Sequence, residues 1–497
     1  MFKNFPGYSL LEKIQKKKSH TRERKLPINA IKLIFIVAIT SVIALLPTES
    51  FGIEGLTVVH QRIISLFVFA ALMWLTEAMP SWVTSMVVVT VMLLTVSTSA
   101  FNFLRPEDGA GLVPFKSIMA CFANPTIMLF IGGFVLAIGL TKVKLDVALA
   151  RVLLKPFGTR SEVVLLGFIL VTAIFSAFVS NTATAAMMLA FLTPVLKSLP
   201  ADGKGRIALA LAIPVGANLG GMITPIGTPP NMIALDYLSS QGMGISFVDW
   251  TIKMAPFVIV LLLLSWLLLR ILFPFKQKHI KIEIEGDIKW NRHTWSVVAA
   301  FAITIFMWMF GTDLWGVDTN VVAMIPIAIF CATGILTRRD LEEINWSVLW
   351  MVAGGFALGV ALNYKDASSV SLSSLIVNTV PFDNFSPLVV MILAGIICFG
   401  FSNFISHSAA TSLLVPVLGV VAGGLGASLD NYGGPQAMLV GIAIASSVSM
   451  ILPISTPPNA IAHSTGFIEQ KDMMKVGFII GIMGLVLGYA MLIFIGF

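Results

Sequence analysis

Long apolar runs recur along this chain from end to end. Ile31–Leu46, Ile63–Met79 and Val83–Val96 are the first three, and others follow as far as Leu492–Phe497. Within them the apolar positions are continuous and do not alternate with polar ones, as they would in a barrel strand. About 20 apolar residues cross a bilayer as helix, and only helices or closed barrels satisfy the backbone there. The pattern predicts an all-α polytopic membrane protein. Eleven spanning segments are expected, starting near Ala30, Arg62, Ser81, Pro125, Arg206, Thr251, Arg292, Asn320, Val348, Pro435 and Val476. Two further stretches, Glu162–Leu199 and Ser386–Val421, are interrupted halfway by polar residues. They read as re-entrant hairpins, which leave the membrane on the side they entered.

The charges between the runs test this thread. With the amino terminus inside, the inner loops should be basic. They hold Lys142, Lys144, Arg151, Lys155 and Arg160, then Lys204 and Arg206, then Lys276, Lys278, Lys281, Lys289 and Arg292, then Arg338 and Arg339, then Lys471 and Lys475. The outer loops hold mainly Glu49, Glu54, Glu107, Asp108, Asp236, Asp249, Asp313, Asp318 and Asp430, with Arg62, Arg105, Lys253 and Lys365 as exceptions. Turning either hairpin into a full crossing would invert every later loop. The expected location is therefore the cytoplasmic membrane, amino terminus cytoplasmic and carboxyl terminus extracellular. The basic, polar first thirty residues read as a retained cytoplasmic tail, with no cleavable signal peptide.

Composition agrees. Hydrophobic residues make up 57% of the chain and charged residues 11%, against about 25% charged in a soluble domain. Mean hydropathy is +0.93. The net charge of +7 sits in loops where topology needs it, so nucleic acid is not an expected partner and membrane lipid is. Cys121, Cys331 and Cys398 are scattered without metal spacing and read as free thiols.

An internal repeat organises the chain. Pro225-Ile226-Gly227-Thr228-Pro229-Pro230-Asn231-Met232-Ile233-Ala234 aligns with Pro453-Ile454-Ser455-Thr456-Pro457-Pro458-Asn459-Ala460-Ile461-Ala462, with eight of ten positions identical. Upstream lie two polar islands, Ser180-Asn181-Thr182 and Ser406-His407-Ser408. Ser180 precedes Thr228 by 48 residues and Ser406 precedes Thr456 by 50. The expected organisation is a tail over 1–29, an extra helix and outer loop over 30–61, one repeat over 62–275, a linker over 276–291 and a second repeat over 292–497. Each repeat crosses five times, so the two have opposite topology. Inverted repeats with interrupted helices are a signature of secondary transporters.

The islands have the chemistry of an anion site. Pro229 and Pro230 cannot donate to carbonyls four residues back, nor can Pro457 and Pro458, so a helix must break over 224–231 and again over 453–459. Each can restart with Thr as N-cap and Pro at the first helical position. Ser180-Asn181-Thr182 and Ser406-His407-Ser408 can cap hairpin arms beginning near Ala183 and Ala409. That gives four helix N-termini, each with free N–H donors and roughly half a positive charge. No Lys or Arg lies within an island, which suits a site that must release a small dianion. Thr228, Pro229, Asn231 and Asn459 are expected to line it.

At these residues the sequence resembles the divalent anion:sodium symporter family of dicarboxylate, citrate and sulfate transporters, over nearly its whole length. The family's Ser-Asn-Thr signature stands intact at Ser180-Asn181-Thr182. Its second copy departs in two of three positions, as Ser406-His407-Ser408. The resemblance implies substrate held by Ser180, Asn181, Thr182, Ser406, His407, Ser408, Thr456 and Pro457. It implies a first sodium site near Ser176, Ser180, Asn181 and Gly227, and a second near Ser402, Ile405, His407 and Ser455. It further implies a homodimer with a static scaffold and a mobile transport domain, working by an elevator motion, and no other cofactor.

Three alternatives are weighed against that expectation. A channel would want a continuous polar pore, which the runs do not supply. An intramembrane serine hydrolase would use Ser180 or Ser406 with His407 as base, but adjacent residues at a capped tip are poorly aimed at each other, and no Gly-x-Ser-x-Gly surrounds either serine. The coupling mode divides between sodium symport of dicarboxylate, citrate or sulfate and sodium-independent exchange of C4/C5 dicarboxylates such as succinate, malate, fumarate and 2-oxoglutarate. His407 favours exchange: it places a ring without oxygen where the second sodium needs oxygens, and an imidazole can supply positive charge itself.

Overall fold

The computed structural model describes residues 29–107, 109–200, 203–280, 290–366 and 370–497. Residues 1–28 of the basic tail, Asp108, and Lys281 and Lys289 of the linker lie outside them. Seventeen principal helices follow in order: α1 (Ala30–Leu45), α2 (Val58–Thr76), α3 (Ser81–Thr95), α4 (Pro125–Lys142), α5 (Ser161–Phe178), α6 (Asn181–Ser198), α7 (Gly205–Gly220), α8 (Pro229–Ser240), α9 (Phe247–Leu272), α10 (Arg292–Trp315), α11 (Met324–Ala332), α12 (Trp346–Asn363), α13 (Pro387–Phe404), α14 (His407–Leu425), α15 (Gly434–Ser447), α16 (Pro457–Ser464) and α17 (Gln470–Phe494). Among the described residues, nine helices are long and apolar enough to cross a membrane. Three of them are hairpin arms. The other six, with five shorter apolar helices, make the eleven segments that the apolar runs predict.

Element boundaries depart from the polarity pattern where capping decides them. Three spans begin four to six residues before their expected starts at Arg62, Thr251 and Val476: α2 at Val58, α9 at Phe247 and α17 at Gln470. Thr57 and Ser246 accept hydrogen bonds from His60 and Asp249 N–H, and so nucleate the first two ahead of the apolar run. The second hairpin's return arm continues to Leu425, past Val421.

Polar contacts sort the helix termini into two ends. At one end Lys142 of α4 pairs with Asp340 at 2.5 Å. Arg270 of α9 pairs with Glu162 at the start of α5 at 2.9 Å, and Arg206 of α7 stacks on Phe467 beyond α16. At the other end Thr126 of α4 bonds Asp236 of α8, Gln436 of α15 bonds the Met243 carbonyl, and Trp250 of α9 packs on Phe497. The first hairpin (α5, α6) enters from the basic end. The second (α13, α14) enters from the opposite end, where Gly424 lies against Phe382.

Packing also separates two bodies. Helices α2, α3 and α12, with α4, α10 and α11 joined to them, form one, and α12 also packs along α14 of the other. The hairpins and the broken pairs α7/α8 and α15/α16 form the other, with α9 and α17 against them. Small residues allow the tight crossings, since apolar lipid gives helices no hydrophobic reason to associate and close backbone contact must do so instead. A Cβ on Gly220 of α7 would stand 2.3 Å from the Ala173 Cα of α5, and one on Gly354 of α12 would stand 2.4 Å from the Ser85 Cβ of α3. Gly132-Gly133-Phe134 of α4 recurs as Gly354-Gly355-Phe356 of α12, a second echo of the repeat. Gly355 abuts Ser412 of the second hairpin, whereas a Cβ on Gly133 would meet nothing within 4 Å.

This difference predicts unequal tolerance. Gly220→Ala must force α5 from α7, at about 1–3 kcal/mol for overpacking, and is expected to lower the melting temperature of the detergent-purified protein by several degrees. Gly133→Ala should melt with the wild type. Equal melting of all three proteins would contradict this account of the α5–α7 crossing.

Candidate functional site

Each repeat builds one hairpin tip against one broken helix. In the first, Ser180 is the N-cap of α6 and its Oγ accepts from Ala183 N–H at 3.3 Å. The helix begins at Asn181, so Asn181 and Thr182 lie in the first turn and are not caps, unlike the expectation of an arm starting near Ala183. The second tip repeats this: Ser406 accepts from Ala409 N–H at 3.2 Å, and His407 opens α14. Thr182 is exposed, Ser180, Asn181 and Ser406 are half-buried, and His407 and Ser408 are buried.

The breaks are longer than the proline positions imply. α7 ends at Gly220 and α15 at Ser447, and the chain runs without regular helix to Pro229 and Pro457. Thr228 and Thr456 are extended N-caps with Pro at the first helical position; the Thr456 Oγ1 accepts from Asn459 N–H at 3.2 Å. Asn231 and Asn459 do not line an open site as expected. Both are 1% exposed and turn inward. Asn231 Nδ2 donates to the carbonyls of Gly221 and Thr224 at 3.1 and 2.9 Å. Asn459 Nδ2 donates to those of Met450 and Leu452 at 2.9 and 3.1 Å. Each asparagine thus supplies the hydrogen bonds that its own break forfeits. Asn218 Nδ2 donates to Asn459 Oδ1 at 3.0 Å and ties the two repeats together. Sequence reasoning missed Asn218; its signal is an amide standing alone in the small, apolar run of α7.

The tips are fastened to the breaks differently. In the first repeat Ser176 Oγ lies 2.7 Å from Asn181 Oδ1 and 2.6 Å from the Ala217 carbonyl. One hydroxyl hydrogen can serve only one of those oxygens at a time. Around them a Cβ on Gly221 would stand 2.7 Å from Asn181 Oδ1, and one on Gly227 would stand 2.4 Å from the Gly221 carbonyl. The Ala217 carbonyl also accepts from Gly221 N–H at 3.2 Å, and three oxygens gathered in a glycine-walled cradle suit a small cation. In the second repeat His407 Nε2 meets the Ser449 carbonyl at 2.5 Å, where Ser449 stands in register with Gly221. The Ser402 hydroxyl is directed to Ser446 Oγ at 3.3 Å and Ser455 Oγ donates to the Asn403 carbonyl at 2.8 Å. Ile405 is buried. A ring nitrogen bonded to the Ser449 carbonyl stands where Asn181 presents an oxygen in the first repeat, so this set fits a sodium ion less well than the first. Nor does His407 bond Ser406, as a nucleophile–base pair would require.

The remaining expected residues are divided. Thr456 and Thr228 are buried, Pro229 is half-buried and Pro457 is exposed. The return arm of each hairpin packs on the other repeat's re-started helix, α6 on α16 and α14 on α8. Among the described residues no hydrogen bond joins the two tips directly; they communicate through the breaks and the Asn218–Asn459 bond. A cavity of about 1200 Å³ lies between the two bodies at the acidic end, lined by Thr126, Asp236, Tyr237, Asn363 and Ser412 among others. It reaches Pro225 of the first break, but the tip residues do not line it.

This architecture has known relatives. The family described as the sodium:sulfate symporter transmembrane region matches residues 28–496. An uncharacterized transporter of Haemophilus influenzae is 31% identical over 84% of this chain and 88% of its own length. The sodium-dependent dicarboxylate transporter SdcS of Staphylococcus saprophyticus is 29% identical over 85% of this chain and 84% of its own. The inorganic phosphate transporter PHO87 of Saccharomyces cerevisiae is 28% identical over 94% of this chain but only 49% of its own. Among solved structures, the YdaH transporter of Alcanivorax borkumensis aligns with a TM-score of 0.53 at 13% identity, covering 88% of this chain and 99% of that one, a likeness of fold alone. Paired hairpins, two stapled helix breaks and a family match over almost every residue lead to one assignment: this chain belongs to the sodium:sulfate symporter family, the divalent anion:sodium symporters, and is a multi-pass membrane transporter, not an enzyme.

Proposed function

We propose that this protein exchanges C4/C5 dicarboxylates across the cytoplasmic membrane without requiring sodium. Its basic end would face the cytoplasm and its carboxyl terminus the outside. Substrate would sit between the two tips, held by Ser180, Asn181 and Thr182 on one side and Ser406, His407 and Ser408 on the other, with Thr456 and Pro457 at the edge. Support for the substrate class comes from the anion-favouring N-termini of α6, α14, α8 and α16 and from relatives named as dicarboxylate transporters. Movement would follow the division into two bodies: the hairpin body slides as an elevator past the scaffold of a homodimer.

The observation that carries the coupling mode is His407. Its imidazole fills the second cradle and its Nε2 takes the Ser449 carbonyl, so no second cation accompanies the dianion. The groups that attract the anion are then fixed to the moving body. Empty, that body carries uncompensated positive potential into a low-dielectric barrier; loaded, it does not. The loaded carrier crosses and the empty one lags, which is the condition for obligatory exchange. One observation favours a second reading, sodium symport. The first cradle, with Ser176, Ser180, Asn181 and Gly227, keeps an oxygen-rich donor set, and a relative is named as sodium-dependent.

Counterflow in proteoliposomes separates the two. Exchange predicts rapid uptake of labelled succinate or malate into substrate-loaded vesicles in choline buffer and little uptake into empty ones. Strong sodium-driven uptake into empty vesicles would return the protein to symport. His407→Asn restores the family residue and is expected to introduce a dependence of uptake on sodium. Asn181→Ala removes a donor to the bound anion, a loss of about 1.5–3 kcal/mol, and is expected to cut uptake at least tenfold while the protein stays folded in detergent. Uptake at the wild-type rate by that variant would falsify the tip assignment.

A further inference from the structure

The hairpin body is fastened to the other body at one place that the substrate site does not use. Asp236 lies near the end of α8, in the wall of the cavity at the acidic end. Thr126 Oγ1 donates to its Oδ1 at 2.7 Å. Asn124 is the N-cap of α4 and Thr126 is in its first turn, so the carboxylate sits at the positive end of an 18-residue helix. The next residue, Tyr237, lines the same cavity as Asn363, the last residue of α12.

The second repeat has no counterpart. In register with Asp236 and Tyr237 stand Ser464 and Thr465 at the end of α16. Their hydroxyls turn back onto their own helix, to the carbonyls of Ile461 and Ala462 at 2.7 and 2.6 Å. Among the described residues, this side-chain hydrogen bond to the scaffold is therefore present in the first repeat and absent from the second. We infer that Asp236 with Thr126 is a one-sided latch: it holds the hairpin body in the present arrangement, must open in every transport cycle, and sets how often the carrier leaves this state. This inference rests on the sliding motion proposed above, and it assigns Asp236 and Thr126 a gating role with no contact to substrate.

Cys121 reports on the latch. It lines the same cavity as Asp236 and is 5% exposed. In a Cys331→Ala, Cys398→Ala background without substrate, Thr126→Val should raise the rate of Cys121 labelling by a small thiol reagent on the order of tenfold, the scale of one charge-assisted hydrogen bond. Thr126→Val is chosen because Asp236→Asn would also change the charge beside the thiol. In a background lacking all three native cysteines, Thr126→Cys with Asp236→Cys should cross-link under mild oxidant. The cross-linked protein should lose succinate counterflow, keep succinate binding, and recover counterflow on reduction. Unchanged Cys121 labelling in Thr126→Val, or counterflow by the cross-linked protein at the reduced rate, overturns the latch. If the reduced protein carries no dicarboxylate at all, the substrate reading fails, and the labelling experiment still decides the latch.

Discussion

Everything in this molecule depends on satisfying backbone carbonyls in two helices that are broken inside the membrane. Lipid offers such a group no hydrogen bond, and each one left alone costs several kcal/mol. The chain meets that demand with one asparagine per break. Asn231 and Asn459 each send both amide hydrogens to carbonyls of the break just upstream. With those bonds in place the prolines can stop one helix and start another in mid-membrane, and the new N-termini become available to an anion. Without them those carbonyls would be left unpaired inside the membrane, and the breaks that the prolines impose would be destabilised.

The electrostatics follow from that arrangement. A site charged by lysine or arginine would hold a dianion tightly and release it slowly. Helix N-termini provide fractional, fixed, directional charge in its place, and the hydroxyls and amides of the tips add donors without net charge. The two tips are not equivalent. Asn181 brings an oxygen up to the Ser176 hydroxyl and the Ala217 carbonyl, while His407 brings an N–H to the carbonyl in register. The two repeats share a fold and differ in the side chain that opens the return arm, Asn181 in one and His407 in the other.

Much of this is legible in the sequence, and the missing part has a physical reason. Continuous apolar runs and loop charge report how often the chain crosses, because hydropathy and topology act residue by residue. The Thr-Pro-Pro-Asn repeat reports the breaks, because proline acts locally. Three things do not act locally. The extent of each break, from Gly221 and from Val448, is set by where asparagine side chains find carbonyls and not by where proline removes donors. Asn231 and Asn459 look like site residues because they are polar and adjacent to the tips, yet only three-dimensional packing shows them facing inward. Asn218 and Asp236 find partners 241 and 110 residues away, and neither residue carries a local motif that would announce it.

The interlocking of the repeats has a consequence for biosynthesis. The return arm of the first hairpin packs on α16, and the second on α8, while Asn459 binds Asn218 across the divide. A ribosome delivers the first repeat long before its partners exist. During that interval Asn218 and the first tip sit in the membrane with polar groups facing lipid, water or an insertion factor. The first half is thus an assembly intermediate and not a smaller version of the whole. Its lifetime in the bilayer is set by the time needed to translate some 230 further residues, at roughly 5–20 residues per second.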